Sequence, residues 1–362
     1  MIVLSSFKLR RQKSILLVPG ESGANPYINR LRKTLSKDYD VYSLKDIRKH
    51  PLWVLMRIGA VYLNWLENDP KWRNILILRV LHWIGIRLVW TYHNKRPHDR
   101  EFTPKARQFV EFLERNSDAI VIHCHESLAC LPASCHSRVW YFPHGNYIGV
   151  YESGHGNIRK ELGIPGNAIV FLALGQIKRY KGIDVLLEAF RQVDCPKAHL
   201  IVAGNPDGGE NLLHDMQTHA TADSRMHLAL HRIPDRSIRD YLDAADALVM
   251  PLDQQSSLNS GSMLMAFSYG KTVVAPWIGT LREYKGQQPF FYAYNYSSRE
   301  EHVRILAETM KRALADELAS PGHLRRWGAE ALRHVRFEND WDSFRPILRQ
   351  IIDGTENTKR KP

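Results

Sequence analysis

At 362 residues the chain is longer than one hydrophobic core usually serves, which calls for two domains. With 44% hydrophobic and 24% charged residues it is too apolar for a disordered protein. Its net charge of +12 points to anionic partners: a nucleotide, a nucleic acid or an acidic membrane surface.

The first predicted element is a strand over residues 14–18, closed by Pro19-Gly20. The loop GESGANPY then leads into a helix over 27–35. Ligands of doubly wound sheets sit at the C-terminal ends of strands, so Glu21, Ser22 and Asn25 are either cleft residues or parts of a tight turn. A second strand is expected over 39–44. Residues 50–90 hold Trp53, Trp65, Trp72, Trp83 and Trp90, five of the nine tryptophans. Leu52, Leu55, Met56, Ile58, Leu63 and Leu66 fall at helical spacing, as do Ile75, Leu78 and Leu81, with Arg57, Lys71, Arg73, Arg79 and Arg87 among them. Such helices either lie at a membrane interface, with rings at headgroup level and cations on acidic lipid, or face the core of the first domain.

IRLVWTY, residues 86–92, reads as a strand that delivers His93, His98 and Asp99 to a cleft edge. There an imidazole or carboxylate can take a proton from an incoming hydroxyl, or simply bond the backbone; His93 and Asp99 are the candidate catalytic residues. A helix over 103–115 and strands over 119–123 and 138–142 follow, closed by PHGNY at 143–147. HCHESLACLPASCH, residues 123–136, mixes His and Cys but matches no CxxC pair, so no metal site is expected. Four cysteines are sparse for a disulfide framework, and free thiols are expected. The glycine-rich stretch 152–165 reads as a linker.

Beyond it, strands over 168–174, 199–203, 226–230, 247–250 and 272–275 alternate with helices over 185–192 and 237–244, the pattern of a parallel α/β sheet. Helices are expected over 309–318, 324–335 and 341–352. The predicted division is 1–152, 153–336, a returning helix 337–353 and a basic tail 354–362. Residues 1–4 are too short for a secretory signal core, and no run reaches the ~20 apolar residues of a membrane span.

Two stretches carry the chemistry. FLALGQIKRYKGIDVLLEAF, 171–190, is a buried strand, a loop led by Gly175 with Lys178, Arg179 and Lys181, and an amphipathic helix. NSGSMLMAFSYGKTVVAP, 259–276, is a polar turn of Asn259, Ser260, Gly261 and Ser262, a helix, and a β-branched strand. A helix start with hydroxyls and a glycine cradles phosphate, or is an ordinary N-cap.

Together these stretches resemble the donor half of GT-B glycosyltransferases, most closely family 4, and within it the bacterial glycolipid β-mannosyltransferases of exopolysaccharide assembly. MAFSYGKTVVA stands where that family reads EAMACGxPVVA. The resemblance implies an α/β protein of two Rossmann-like domains with a cleft between them and a C-terminal helix crossing back. It implies a metal-independent hexosyltransferase without cofactor, whose substrate is a nucleotide-diphosphate sugar, GDP-mannose before a UDP-sugar. Gly175, Lys178, Arg179, Lys181, the turn Asn259–Ser262 and Glu283 would bind the donor, HRIPDRSI at 231–238 its base. Glu21, Ser22 and His144 would face the acceptor, a lipid-linked saccharide. The implied location is cytoplasmic, peripheral on an anionic inner membrane face, with no nucleic acid partner. The family's paired glutamates are replaced here by Ser257 and Met265, which leaves the sugar to be held differently and points toward inversion. The rival readings are a nucleotide-sugar epimerase of the same fold and a basic binding module without catalysis.

Overall fold

The computed structural model describes residues 13–20, 25–65, 72–95, 103–152, 154, 156–178, 181–207, 210–284 and 290–355. It forms two units, Met1–Gly145 with Asn339–Pro362, and Asn146–Glu338.

The first unit is built on six parallel strands, β1 (Ser14–Val18), β2 (Asp40–Tyr42), β3 (Ala60–Asn64), β4 (Arg87–Thr91), β5 (Ala119–Ile122) and β6 (Val139–Tyr141), in the order β2-β1-β3-β4-β5-β6. β1, β3 and β5 are buried along their whole length, as strands covered on both faces must be. β3 corrects the reading of the tryptophan-rich region as helices throughout. AVYLN is a buried strand between β1 and β4, and a short continuous apolar run carries no period of its own.

The tryptophans of the same region divide by burial. Trp90 is fully buried on β4, whereas Trp53, Trp72 and Trp83 are 44%, 64% and 86% exposed on the helices Pro51–Arg57 and Trp72–Trp83. The helix Arg345–Asp353 packs on the helix Pro26–Leu35 and on β4 within this unit. Asp38 receives Arg345 at 2.9 Å and also pairs with Arg349; these hydrogen bonds hold its carboxyl down at about 2. Arg87 Nε donates to Ile351 O at 2.7 Å.

The second unit holds β7 (Ile169–Leu174), β8 (Ala198–Ala203), β9 (Met226–Ala229), β10 (Ala247–Val249), β11 (Thr272–Pro276) and β12 (Tyr292–Tyr294), all parallel, in the order β12-β11-β10-β7-β8-β9. β12 and the helix Glu210–Ala222 add to the predicted set, and the helix expected over 309–318 extends over Arg299–Ala319. One core face joins β7 and β8 to the helices Ile183–Arg191 and Arg299–Ala319 through Phe171, Phe190, Leu306 and Met310. Residues 146–157, which include most of the glycine-rich stretch before its helix Ile158–Glu161, belong to this unit.

Candidate functional site

In the second sheet the strand order turns at β7, which pairs with β8 on one side and β10 on the other. Crevices at such a switch, at the C-terminal strand ends, are where doubly wound sheets bind ligands. β7 is followed by Gly175, whose backbone N–H bonds Ala203 O at 3.0 Å. Gly175 and Gly204 (φ +123° and +154°) approach so closely that a Cβ on Gly204 would fall 1.7 Å from Gly175 O. That contact and the bridge between Ile177 and Pro206 fix the path of the cationic loop.

Lys178 Nζ pairs with Asp207 at 3.2 Å. Lys181 folds back so that its Nζ lies 3.3 Å from where a Gly175 Cβ would be. Among the described residues it meets no carboxylate. Burial, and then the charge of Lys178, bring its ammonium down to about 8. Gly182, in the left-handed region, is the N-cap of the helix Ile183–Arg191, and any side chain there would strike Pro251 O at 2.3 Å. The loops after β7 and β10 therefore touch at the switch.

The loop after β10 carries the polar turn. Ser260 caps the helix Gly261–Ser268, its Oγ accepting from Met263 N at 3.3 Å, while its own N–H donates to Thr280 Oγ1 at 3.1 Å. Gly261 and Ser262 thus open a helix at the same strand edge as Lys181, with first-turn N–H groups beyond those that Ser260 satisfies. Sequence reasoning missed Thr280 and Ser256, and named Ser257 only as the place of an absent glutamate; Ser256 and Ser257 are buried with hydroxyls that find no hydrogen-bond partner among the described residues. Burial distinguishes them, and the sequence carries no sign of it. Glu283 stands at the C-cap of the short helix Gly279–Arg282. His231, Asp235 and Ser237 line a cavity of about 870 Å³ together with Tyr151, Glu152 and Asp240. Glu21, Ser22, Asp99 and Arg179 lie outside the described residues.

The first sheet reverses between β1 and β3, and here the strand ends carry rings. Tyr27 is central. Trp65, His93, His123, His144 and Trp341 surround it with ring centroids 4.9 to 5.5 Å away. His123 Nδ1 donates to Phe142 O at 2.9 Å, so its Nε2 accepts the Tyr27 hydroxyl, also at 2.9 Å. His93 Nε2 donates to Asn64 Oδ1 at 3.0 Å, and His144 Nδ1 to Gly145 O at 2.9 Å. Burial pushes His93 well below the usual imidazole range, His123 to about 3 and His144 to about 4. All three are neutral at pH 7. His93, expected at a cleft edge, is 3% exposed, with Trp65 stacked on it at 3.9 Å. Trp65 itself has φ +52°, a conformation that costs a bulky residue ~1–3 kcal/mol.

Among the described residues no group of three His, Cys, Asp or Glu side chains is arranged to hold a metal ion. No helix among them is long and apolar enough to cross a membrane.

Residues 168–316 match the family Glycosyl transferases group 1. The chain is 25% identical over 271 residues to a GDP-mannose:glycolipid 4-beta-D-mannosyltransferase of Xanthomonas campestris pv. campestris, covering 71% of each protein. It is 28% identical over 221 residues to a D-inositol 3-phosphate glycosyltransferase of Thermomonospora curvata, covering 58% of this chain and 48% of that relative. Among solved structures, HepE of Anabaena in complex with UDP and glucose aligns with a TM-score of 0.68 at 15% identity, over 94% of this chain and 100% of that one. The sucrose-phosphate synthase of Thermosynechococcus elongatus aligns with a TM-score of 0.71 at 15% identity, over 94% and 98%. The structural likenesses establish the GT-B fold, and the match of residues 168–316 to the glycosyl transferase group 1 model, within a chain similar to a mannosyltransferase over 71% of its length, supports a glycosyltransferase.

Proposed function

We propose that this glycosyltransferase moves mannose from GDP-mannose onto a saccharide carried by a glycolipid or polyprenyl diphosphate, at an acidic membrane surface during bacterial polysaccharide assembly. The observation that carries the donor half is Lys181, a partly buried cation without a carboxylate partner among the described residues, at the switch point of the second sheet. As the bond between sugar and phosphate breaks, the departing diphosphate gains charge. A cation and helix N–H groups already fixed there stabilise that charge with no reorganisation at the moment of reaction. Lys178, Arg179, Gly175 and the turn Asn259–Ser262 complete the proposed phosphate cradle, and Ser256 and Ser257 offer hydroxyls where the resembled family has a glutamate. Glu283 is proposed to face the sugar.

The guanine choice has two supports. The Xanthomonas campestris relative uses GDP-mannose by its name. The cavity beside His231 is lined by the carboxylates of Glu152, Asp235 and Asp240, and carboxylates accept from the adjacent N–H donors of guanine. The proton of the acceptor hydroxyl is proposed to pass to Asp99 or to the leaving diphosphate, with the buried His93 positioning the acceptor side, where Glu21, Ser22 and His144 are also proposed to stand.

The membrane half rests on the exposed face of the first unit. Among the described residues, ten of the twelve exposed large hydrophobic side chains fall between Leu44 and Ile84, the other two being Leu318 and Phe337. The helix Trp72–Trp83 carries Arg73 and Arg79 and no acidic residue, and Arg57 lies 4.1 Å over the Trp53 ring. An apolar face rimmed by tryptophan and arginine fits an acidic bilayer.

Calorimetry with GDP, UDP, ADP and dTDP tests the donor. Tightest binding of GDP is expected; tightest binding of UDP would transfer the reading to a UDP-sugar, and no binding of any would remove it. Flotation with phosphatidylglycerol vesicles, expected to carry the protein where phosphatidylcholine does not, tests the membrane half.

A further inference from the structure

We infer that the indole of Trp65 is the platform on which an uncharged pyranose ring of the acceptor stacks, which rests on the reading of the protein as a transferase to saccharides. Trp65 directly follows β3, at the point where the first sheet reverses its strand order, the place where such sheets receive ligands. Of the six rings gathered there, Tyr27, His93, His123, His144 and Trp341 are buried, and Trp65 alone keeps accessible surface.

The indole is held rather than loose. His93 lies flat against one face, 3.9 Å away and 16° from parallel, and is itself fixed by Asn64; Tyr27 meets it edge-on at 5.5 Å. Only the face turned away from His93 remains for a ligand. Trp65 is also the one non-glycine residue with positive φ among the described residues. A bulky side chain persists in that conformation only where its surroundings hold it there, and such residues gather at binding sites.

The chemistry of the cluster selects the ligand. Its histidines are neutral and its phenol bonded, so it offers no cation to a phosphate. A neutral aromatic face has partial negative charge, and the C–H groups on one side of a pyranose are apolar and weakly positive, so the two pack flat. Asn64, 1% exposed at the same strand end, has its Oδ1 engaged by His93 and, among the described residues, no partner for Nδ2, a donor left for a sugar hydroxyl after a small adjustment.

Saturation-transfer NMR of the full chain with methyl pyranosides of glucose, galactose, mannose and N-acetylglucosamine tests this, alongside Trp65→Gly and Trp65→Phe. Glycine tolerates the positive φ, so Trp65→Gly is expected to melt no lower than the parent protein while losing at least about fivefold of the saturation transfer. Trp65→Phe, which keeps a ring, should retain most of it. Calorimetric binding of GDP by Trp65→Gly should match the parent, which separates failure on this side from failure of the donor reading. Equal transfer from the parent protein and Trp65→Gly, or no transfer from the parent to any of the four sugars, would overturn the platform.

Discussion

The two sheets share parallel strands and a single reversal of order, yet their reversal points carry opposite chemistry. At β7 and β10 the strand ends present a partly buried lysine that meets no carboxylate among the described residues. At β1 and β3 they present six rings, three of them imidazoles held neutral by burial. Topology therefore fixes where a ligand is received, and the side chains at those ends fix what kind. A charged leaving group needs the first chemistry, and an uncharged sugar ring the second.

This contrast can be broken in order of expected effect. The largest response is to acid. His123 and His144 have folded pKa values of about 3 and about 4, below the ordinary 6.5, so the unfolded chain binds protons that the folded one refuses. Stability from these groups is complete above pH 6.5 and is lost as pH falls toward 4. The first unit should lose on the order of 3 kcal/mol over that window, read by denaturant melts, with His144→Asn flattening the dependence. Next, Lys181→Ala should weaken GDP binding by about 2 kcal/mol, roughly thirty-fold, without lowering the melting temperature, since a partly buried cation with no carboxylate partner among the described residues is removed. A smaller effect is the pH dependence of the same binding. Above pH 8 the free enzyme's Lys181 deprotonates, so affinity should fall by up to about tenfold per pH unit in the parent and not in Lys181→Ala. The apo protein moves the other way, gaining stability as pH rises from 8 toward 10.5. Smallest of all, replacing the exposed Trp72 and Trp83 with Ala should change stability by less than about 0.5 kcal/mol each, while vesicle flotation falls.

The alternation of strand and helix in the second unit was legible because each strand is a bounded apolar run and each helix has its own period. β3 was not, because Leu63 and its neighbours also satisfy a helical spacing and only pairing with β1 and β4 decides the matter. The cationic loop and the capped turn could be named from sequence. That Lys181 lacks a carboxylate partner among the described residues while Lys178 has Asp207 could not, since both are lysines of one short loop. The ring cluster was equally hidden: its members come from strand ends and one late turn, and nothing local marks Tyr27 as their centre.

The return of Arg345–Asp353 to the first unit sets an order of events during synthesis. The second unit is a continuous segment of chain, whereas the first waits for its last helix to leave the ribosome before Asp38 and Arg87 find Arg345, Arg349 and Ile351. A nascent chain arrested before residue 339 would therefore present a finished second unit and an incomplete first one, with Tyr27 uncovered on the side that Trp341 closes, and a protease would be expected to cut the first unit before the second.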